Sequence, residues 1–559
     1  MPTLDWIGKS KVVNHHQEVP YRVLERRYSF DADGKREADN GSGNMIIRGD
    51  NLEALKALLP RYEGRVNCIC IDPPYNTGEE GWIYNDNVND PKIKKWLGEV
   101  VGKEGEDLSR HDKWLCMMYP RLKLLQKLLS DSGVIFIFIG ESEHANLKLI
   151  CDDIFGARNY VTDFGRQMKS GGAKGHYYTP SLDYVLTYAK NIDNLPFFRA
   201  VMTQSQIDVF YKFTQKDGPR KGEKYGEERL FKSSLEARVN QRYYIQCPDG
   251  SFVIPPGESL PDRLLEGVTV TPLKTDKVWK WIYPRYQEEL RAGNIIFKRT
   301  STSGLVDEHG KQAKWNIYNK LWLDEQQEKG VVPSNLITTF ENRQSAAELK
   351  NLSLSFNYAK PVKLIEYLLT ISQQGERSIV LDSFAGSGTT AHAVLNMNKA
   401  DGGNRQFILV EMEDYADSIT AERVRRVIPG YGEGKNAVEG TGGDFSFYEL
   451  GEPLMIGDDL NEAVGEARIR EYVWFMETKR PLPGGEQEHP YCLGVHNGTA
   501  YYFYYKQEEI TTLDYDFLAT LTDRAGSMVI YADRCAIGEE ALSGMEIVFK
   551  KIPRDITRL

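Results

Sequence analysis

A short apolar run that ends in a carboxylate and two prolines constrains this chain more than any other feature. Residues 65–71 (Arg-Val-Asn-Cys-Ile-Cys-Ile) are rich in β-branched side chains and predict a buried strand. Asp72-Pro73-Pro74 follows, and the prolines exclude both a helix and further ladder donors. In an open α/β sheet, ligands bind at the carboxyl ends of the strands. The sequence therefore predicts that Asp72 and the aromatic Tyr75 lie at the edge of a binding site.

The residue types in this motif suit an exocyclic amine on a planar ring. Such an amine offers two in-plane N–H donors, which Asp72 and the Pro73 carbonyl could accept, while Tyr75 stacks on the ring face. A capped turn without chemistry is the alternative for a bare Asp-Pro-Pro. The extension through Tyr75 to Asn76-Thr77-Gly78 favours the binding site.

A second motif, about 300 residues later, predicts a nucleoside site. An apolar run over residues 378–381 ends in Asp382, and the chain then turns through Phe384-Ala385-Gly386-Ser387-Gly388-Thr389 into a helix over 391–397. The glycines let the backbone approach a cofactor closely. The third glycine of a dinucleotide fingerprint and the lysine of a phosphate-binding loop are absent. Glu411 ends the next apolar strand, over 407–410, where it could accept two ribose hydroxyls. A tight turn and a surface glutamate are the alternatives.

Composition excludes several classes of protein. The 559 residues allow three or four domains, and no run of about 18 apolar residues could span a bilayer. The start of the chain does not resemble a signal peptide. The seven cysteines form no Cys-x-x-Cys pair, which predicts neither a zinc site nor a disulfide framework. We therefore expect a protein of the reducing cytoplasm without a bound metal.

The distribution of charge keeps nucleic acid open as a partner. The net charge is −10, which by itself argues against contacts with phosphates. Residues 441–540, however, carry 19 acidic and 7 basic side chains, so the acidity belongs to the C-terminal part. The rest of the chain can therefore carry a basic groove.

The rhythm of strands and helices predicts five segments. Helices over 52–59, 114–129 and 143–155 alternate with strands over 45–47 and 133–140, and strands 160–167 and 182–190 form an edge hairpin. The rhythm stops near 195 and returns with a helix over 361–372. The predicted segments are a flexible lead-in (1–43), a catalytic half (44–194), an insert (195–345), a cofactor half (346–435) and an acidic C-terminal piece for interaction or oligomerisation (440–559).

Two stretches are candidates for contact with nucleic acid. Residues 271–300 carry four more bases than acids, interleaved with aromatic side chains, and the candidates are Trp279, Lys280, Trp281, Lys298 and Arg299. The loop 82–87, with Tyr84 and Asn85, is suited to closing over a base. The alternatives are core positions for Trp279 and Trp281 and a surface turn for the loop. Asp50 is expected first as a helix-capping residue.

Together these residues resemble the β-class DNA amino-methyltransferases, and most of all the modification (Mod) subunits of type III restriction-modification systems. The likeness covers about residues 40–430. It includes Arg48–Glu53, Asp72–Gly78, Tyr84–Asn87, Asp183–Leu186, Trp279–Trp281, Lys360–Ile365 and Phe384–Val394. The resemblance implies a Rossmann-like α/β sheet for S-adenosylmethionine-dependent methyl transfer. It further implies circular permutation, with the catalytic half first, an inserted target-recognition domain and a small C-terminal α+β domain.

The resemblance also assigns roles to individual residues. It implies that Asp72, Pro73, Pro74 and Tyr75 hold the target amine, and that Asp382, Phe384, Ala385, Gly386, Gly388 and Thr389 form the cofactor loop. Glu411 would bind the ribose, Asp50 would approach the cofactor adenine, and Lys360-Pro361 would flank the methionine end. Asp-Pro-Pro-Tyr is the form usual for adenine N6, whereas Ser-Pro-Pro-Tyr leans to cytosine N4.

Three positions depart from the family pattern, and several readings stay open. Ile139–Glu143, Leu182 and Ala359 differ from the residues that relatives usually carry, and the first two line the edge of the site. The resemblance implies duplex DNA, a second copy of the chain and a helicase-nuclease restriction subunit as partners. The alternatives are a recognition subunit with little methylation of its own, cytosine N4 methylation and, less favoured, methylation of protein or RNA.

Overall fold

The computed structural model describes residues 4–77, 91–101, 109–171, 177–485, 489–521 and 526–554. The chain divides into two compact units, one of Arg199–Pro333 and the other of Met1–Phe198 together with Ser334–Leu559. The smaller unit lies within the insert predicted over 195–345. Tyr84 and Asn85 lie outside the described residues.

The strands are numbered in chain order. They are β1 Arg22–Asp31, β2 Gly34–Arg36, β3 Met45–Arg48, β4 Val66–Ile71, β5 Leu129–Ile139, β6 Tyr160–Gln167, β7 Leu182–Ala189, β8 Phe213–Thr214, β9 Lys224–Arg229, β10 Ile245–Gln246, β11 Phe252–Ile254, β12 Ile295–Arg299, β13 Val306–Asp307, β14 Trp315–Trp322, β15 Leu336–Ile337, β16 Ile379–Asp382, β17 Gln406–Glu411, β18 Gly430–Tyr431, β19 Val438–Glu439, β20 Phe445–Pro453, β21 Met455–Ile456, β22 Asp459–Leu460, β23 Cys492–His496, β24 Thr499–Phe503, β25 Thr512–Leu513, β26 Ser527–Ala532, β27 Arg534–Cys535 and β28 Ile547–Lys551.

The α-helices are numbered in the same way. They are α1 Lys9–Val12, α2 His15–Glu18, α3 Asn51–Tyr62, α4 Pro91–Val100, α5 Arg110–Leu128, α6 His144–Cys151, α7 Gln204–Phe210, α8 Tyr283–Arg291, α9 Leu323–Lys329, α10 Asn342–Asn351, α11 Val362–Ile371, α12 Thr389–Asp401, α13 Glu422–Val427, α14 Glu466–Thr478, α15 Tyr515–Thr520 and α16 Glu539–Gly544. The helix expected over 143–155 ends early, because residues 152–156 form a π-helical turn.

An 11-stranded sheet organises the larger unit. Its order is β15-β6-β7-β5-β4-β16-β17-β3-β20-β1-β2, and the six strands from β5 to β20 run parallel to one another. This confirms the predicted α/β class, while the circular permutation stays a prediction. Because β4, β16 and β17 are neighbours, the residues at their carboxyl ends meet at one edge of the sheet.

Helices α3 and α5 cover the sheet with apolar side chains at helical spacing. Leu52, Leu55, Leu58 and Leu59 of α3 are at most 2% exposed and share a core with Ile69 and Ile71 of β4 and with alternate residues of β5. Burying each such side chain contributes about 1.5–3 kcal/mol. This packing fixes α3 and β4, the elements on which the first motif depends.

The flexible lead-in predicted over 1–43 is wrong for residues 22–36. Strand β1 pairs antiparallel with β20, and Tyr28 stacks on Phe447 with ring centroids 5.1 Å apart. The segment predicted to begin at 440 as a separate piece therefore starts with β20, a strand of the main sheet. These partners lie more than 400 residues apart, and local sequence patterns carry no signal for such pairing.

The hairpin of β6 and β7 does not lie at the edge of the sheet. The two strands pair antiparallel, as predicted, but the short β15 runs parallel to β6 on its outer side, with Leu336 opposite Gly165. A two-residue strand is too short to give a readable period.

The smaller unit has its own core. It contains a four-stranded sheet (β12-β14-β9-β8) and a three-stranded sheet (β10-β11-β13). Tyr243, Trp279 and Tyr286 are fully buried in its centre.

The C-terminal part of the larger unit carries a second small sheet, β23-β24-β26-β28, packed with α14 to α16. None of the helices in the described ranges combines the length and apolar character needed to cross a lipid bilayer.

Candidate active site

A cavity of about 30 Å³ at the carboxyl ends of β4 and β16 is lined by seven of the 14 predicted catalytic and cofactor-binding residues. The register Leu381 opposite Ile69 sets the two strand ends side by side. The predicted residues that line the cavity are Asp72, Lys360, Asp382, Phe384, Ala385, Gly386 and Thr389. The structure therefore brings both sequence motifs to one site, although they lie some 300 residues apart.

Asp72 and Lys360 form an ion pair inside this cavity. Lys360 Nζ donates to Asp72 Oδ2 at 2.5 Å, and the side chains of Lys360 and Asp72 are 9% and 15% exposed. The ammonium also lies 5.1 Å from the ring centroid of Tyr75 and 5.2 Å from that of Phe138, within the range of cation–π attraction. The sequence had suggested separate places for Asp72 and Lys360, whereas the structure puts them in direct contact.

Tyr75 is anchored through its hydroxyl group. That hydroxyl donates to Asp183 Oδ2 at 3.2 Å, and Asp183 accepts two further hydrogen bonds from Arg166. Burial, followed by the Asp183 and Asp72 carboxylates, raises the pKa of Tyr75 well above its usual value. Sequence reasoning missed Arg166 and quoted Asp183 only as part of the family likeness, without a role.

Two further residues fix the loop that carries the first motif. Trp114 Nε1 donates to the Pro74 carbonyl at 2.7 Å. Asn76, with φ of 56°, donates its side-chain amide to Glu143, which also pairs with His111 Nδ1 at 2.6 Å. Glu143 is fully buried. Both contacts hold the motif in place. Sequence reasoning did not identify Trp114 and named Glu143 only as part of the segment 139–143 at the edge of the site.

Asp382 is a buried carboxyl group with a shifted pKa. It accepts hydrogen bonds from Phe384 N at 3.0 Å and from Thr390 Oγ1 at 2.6 Å. Burial raises its pKa to about 7, and the nearby Asp72 acts in the same direction, while the two hydrogen bonds oppose them. Near neutral pH, Asp382 is therefore divided between its two protonation states.

Glu411 supports the predicted cofactor loop. Its Oε2 accepts from Gly386 N at 2.8 Å and its Oε1 from Glu413 N at 3.0 Å. Gly388 has φ of 77°, and a Cβ there would lie 2.9 Å from the Thr420 carbonyl oxygen, so the turn requires glycine. A carboxylate oxygen has a second lone pair, and Glu411 can accept further donors. The loop and this carboxylate fit a nucleoside group that approaches the backbone.

Arg423 of α13 holds the same loop through hydrogen bonds to its side chains. The side chain is fully buried, and its Nη1 donates to Ser387 Oγ and Thr389 Oγ1, both at 2.9 Å. Burial lowers the pKa of Arg423 to about 10. Sequence reasoning missed this residue, since α13 follows the motif by more than 30 positions.

Asp50 caps α3 and also borders a larger cavity. Its Oδ1 accepts from Leu52 N at 2.9 Å and Glu53 N at 3.2 Å, and its Oδ2 accepts from Arg121 Nη2 at 3.2 Å. The cavity measures about 510 Å³ and is also lined by Trp96 and by Met412, the neighbour of Glu411. Asp50 is thus the helix cap expected from sequence, and it stands where a ligand group could reach it.

The smaller unit corrects one expected DNA contact. Trp279 is fully buried and its Nε1 donates to the Tyr243 carbonyl at 2.8 Å, so it is a core residue and not a surface for bases. Lys280 and Lys298 form ion pairs with Glu228 and Glu227. Trp281 is half-buried and Arg299 is exposed.

Across the described ranges, no group of three or more histidine, cysteine, aspartate or glutamate side chains is arranged to hold a metal ion.

Comparisons with known proteins identify relatives of this chain. Residues 66–422 match the model of a family described as DNA methylase. The type III restriction-modification enzyme EcoPI Mod subunit of Escherichia phage P1 is 30% identical over 456 residues, which cover 74% of this chain and 64% of the relative. The EcoP15I Mod subunit of Escherichia coli is 30% identical over 439 residues, with the same coverage. The chain thus spans slightly under two thirds of the length of these relatives.

A further relative and a solved structure also align with the chain. The type II methyltransferase M.KpnI of Klebsiella pneumoniae is 26% identical over 417 residues, which cover 71% of this chain and 89% of the relative. Among solved structures, the cytosine-N4-specific PvuII DNA methyltransferase aligns with a TM-score of 0.31 and 12% identity, over 68% of this chain and 86% of that one.

Proposed function

Because the chain belongs to the DNA methylase family, we propose that it transfers a methyl group from S-adenosyl-L-methionine to N6 of an adenine in duplex DNA. The observation that carries this proposal is the shared cavity, in which Asp72 of the first motif lies beside Asp382 and Phe384 of the second. An acceptor for an amine and a turn for a nucleoside cofactor are then within reach of each other.

Glu411, the larger cavity beside Asp50 and two residues of the smaller cavity can hold the cofactor at three points. Glu411 accepts the ribose hydroxyls while it keeps its bond to Gly386 N. The cavity beside Asp50, Trp96 and Met412 is of a size that takes a nucleoside base. Asp382 and Lys360 supply opposite charges for the amino and carboxylate groups of the methionine end. When bound, S-adenosyl-L-methionine supplies an electrophilic methyl group on a sulfonium.

The first motif holds the target amine. Asp72 and the Pro73 carbonyl accept its two N–H groups, which leaves the nitrogen lone pair facing the methyl group, and Tyr75 stacks on the base. Trp114 fixes the neighbouring Pro74 peptide, so the Pro73 carbonyl keeps its direction. With the cofactor bound, its sulfonium would supply the methyl group to this nitrogen and leave as a thioether, and Asp72 would take up the amine proton. Positioning and electrostatics supply most of the rate.

The target adenine must leave the duplex, because its N6 is otherwise engaged in pairing. Lys360 Nζ lies 2.5 Å from Asp72 Oδ2 and balances the charge of this carboxylate. A carboxylate offers about four lone-pair sites, so Asp72 can bind Lys360 and the amine together.

Contact with DNA phosphates is assigned to the β8–β9 hairpin of the smaller unit. A surface concavity there is lined by Lys212, Lys216 and Lys221 against one acid, Asp217, with Phe213 and Tyr225 between them. The three lysines are exposed. They replace the buried Trp279, while Trp281, Lys298 and Arg299 stay secondary candidates together with Lys280.

The relatives support a proposal for the biological setting. The Mod subunits that this chain resembles belong to type III restriction-modification enzymes. We assign the chain the same role, as a cytoplasmic modification subunit that forms a dimer and works with a helicase-nuclease restriction subunit. Light scattering measures the molar mass of the purified chain with and without that subunit. A monomer whose mass does not change when the restriction subunit is added would contradict this assembly.

The decisive experiment measures methyl incorporation from labelled S-adenosyl-L-methionine into DNA that lacks this modification. The wild type is compared with Asp72→Ala, and the modified nucleoside is identified. N6-methyladenine from the wild type alone is expected. N4-methylcytosine would overturn the choice of base, and equal incorporation by Asp72→Ala would overturn the assignment of Asp72. Tight DNA binding without any incorporation would instead favour a recognition subunit.

A further inference from the structure

Tyr75 lies in a socket formed by Gly140, Arg166 and Asp183, which hold it from two directions. At the hydroxyl end, Asp183 Oδ2 accepts from Tyr75. At the ring edge, Gly140 leaves the necessary space, because a Cβ at that position would lie 2.8 Å from Tyr75 Cδ2. Any side chain at position 140 would therefore displace the ring.

The carboxylate that receives the hydroxyl is itself immobilised. Arg166 and Asp183 are directly opposite each other on β6 and β7, and both are at most 1% exposed. Arg166 donates to the two carboxylate oxygens of Asp183 at 2.7 and 2.6 Å. It also donates to the Phe340 carbonyl at 3.2 Å and to Asn342 Oδ1 at 2.8 Å. Asp183 therefore cannot follow a moving ring.

Stability alone gives a poor reason for this arrangement. Replacing a buried ion pair by apolar residues of similar volume is often neutral or stabilising, because the desolvation of two charges offsets their attraction. Strands β6 and β7 are already joined by their backbone register. What the charged pair adds is a rigid acceptor aimed at one hydroxyl group.

We propose that Asp183, held in place by Arg166, is a positioning residue that fixes the ring plane of Tyr75 before the target base arrives. This inference rests on the proposed function, in which Tyr75 stacks on the base. A ring that is already oriented loses less rotational freedom when the base stacks on it, so more of the stacking energy remains to hold the amine at Asp72.

The first test observes the ring without DNA. 3-Fluorotyrosine is introduced at position 75, and its ¹⁹F resonance is recorded in the wild type, in Asp183→Asn and in Asp533→Asn. Asp533 is a matched control, since it forms an equally buried two-pronged pair with Arg554 in the C-terminal part. We expect Asp183→Asn to move the resonance toward that of free fluorotyrosine and to narrow it, while Asp533→Asn leaves it unchanged. If the position and width of the resonance are the same in Asp183→Asn as in the wild type, the proposal is refuted, whether or not the protein methylates DNA.

The second test separates positioning from folding through kinetics. Tyr75→Phe removes the hydroxyl group and leaves the ion pair intact. We expect a fall in kcat of about two- to tenfold, the range of one buried hydrogen bond, with the KM for S-adenosyl-L-methionine unchanged. An unchanged kcat would contradict the proposal.

The apolar double variant Arg166→Met with Asp183→Leu covers the case in which a single charge left behind unfolds the protein. We expect Asp183→Asn to lower both the melting temperature and kcat. The double variant is expected to recover the melting temperature of the wild type, while its kcat stays as low as that of Asp183→Asn. Recovery of kcat together with stability would mean that the pair acts only in folding. If the wild type itself transfers no methyl group, the proposed function fails. The ¹⁹F result still shows whether Asp183 fixes the ring of Tyr75.

Discussion

The pKa of Asp382 makes the binding of a cationic cofactor depend on pH. Burial raises that pKa from 3.8 to about 7. If S-adenosyl-L-methionine binds only beside the anionic carboxylate, each pH unit below 7 costs up to tenfold in affinity. Between pH 8 and pH 5 the dissociation constant is therefore expected to rise by about 100-fold. Replacing the carboxyl group by an amide, as in Asp382→Asn, keeps the size of the side chain and an oxygen for Phe384 N but abolishes the titration.

The same shift has a defined effect on the stability of the ligand-free protein. Between pH 3.8 and 7 the folded state holds a proton on Asp382 that the unfolded state has already lost, so stability falls as pH rises through this window and is level outside it. The shift of about 3 units corresponds to an upper bound of roughly 4 kcal/mol. Asp382→Asn is expected to lack this contribution and to be more stable than the wild type at pH 8.

Calorimetric titration with S-adenosyl-L-methionine at pH 5.5, 6.5, 7.5 and 8.5 measures the affinity, and urea unfolding at the same pH values measures the stability. Comparing wild type with Asp382→Asn cancels the contribution of other titrating groups. An affinity that is equal at pH 5.5 and 8.5 in the wild type, or a slope that survives in Asp382→Asn, would refute this reasoning.

Three other perturbations test separate parts of the structure. Lys360→Met removes the cation beside the buried Asp72 and is expected to lower the free energy of unfolding in urea by about 3–5 kcal/mol. Lys360→Arg keeps the charge and is expected to keep most of the stability. Equal stability of the wild type and both variants would contradict a stabilising ion pair. Gly388→Ala places a Cβ against the Thr420 carbonyl at positive φ and is expected to cost about 1–3 kcal/mol and to abolish the thermal shift that S-adenosyl-L-methionine produces, whereas Gly402→Ala, also at positive φ but in open space, should leave that shift intact. Lys212, Lys216 and Lys221 are changed together to alanine, and DNA binding is measured by fluorescence anisotropy from about 50 to 200 mM salt. The slope of log K against log salt concentration is expected to become shallower by the equivalent of about three phosphate contacts, and an unchanged slope would mean that the phosphates bind elsewhere.

What the sequence could predict is what depends on neighbours along the chain. The strand before Asp72, the turn at Gly386 and Gly388, and the helix face of Leu52, Leu55 and Leu58 follow from local spacing and backbone freedom, and the structure has them within a few residues. The meeting of the two motifs was expected only through the family resemblance. Nothing in the sequence of one motif indicates that it lies beside the other. Their proximity comes from the pairing of β4 with β16.

What escaped prediction are the partners that hold the reactive groups. Glu143, Arg166, Asp183 and Arg423 come from four different elements, and each is common enough in sequences to carry no signal by itself. The fully buried position of Trp279 was equally hidden, because an aromatic residue between basic ones has the same pattern in a core as on a DNA-binding face. Contacts between segments that lie far apart in the sequence decide both cases.

The charges of the cavity explain why a cation should bind there. Asp72, Lys360 and Asp382 are the charged side chains among its lining residues. Lys360 neutralises Asp72, so the charge of the remaining acid depends on its environment, and burial leaves Asp382 protonated about half of the time near pH 7. The site is therefore close to neutral without a ligand, and a positive group that enters draws the proton off Asp382. The cavity thus avoids an unpaired buried charge before the ligand arrives and acquires its full negative charge when a cation is present to balance it.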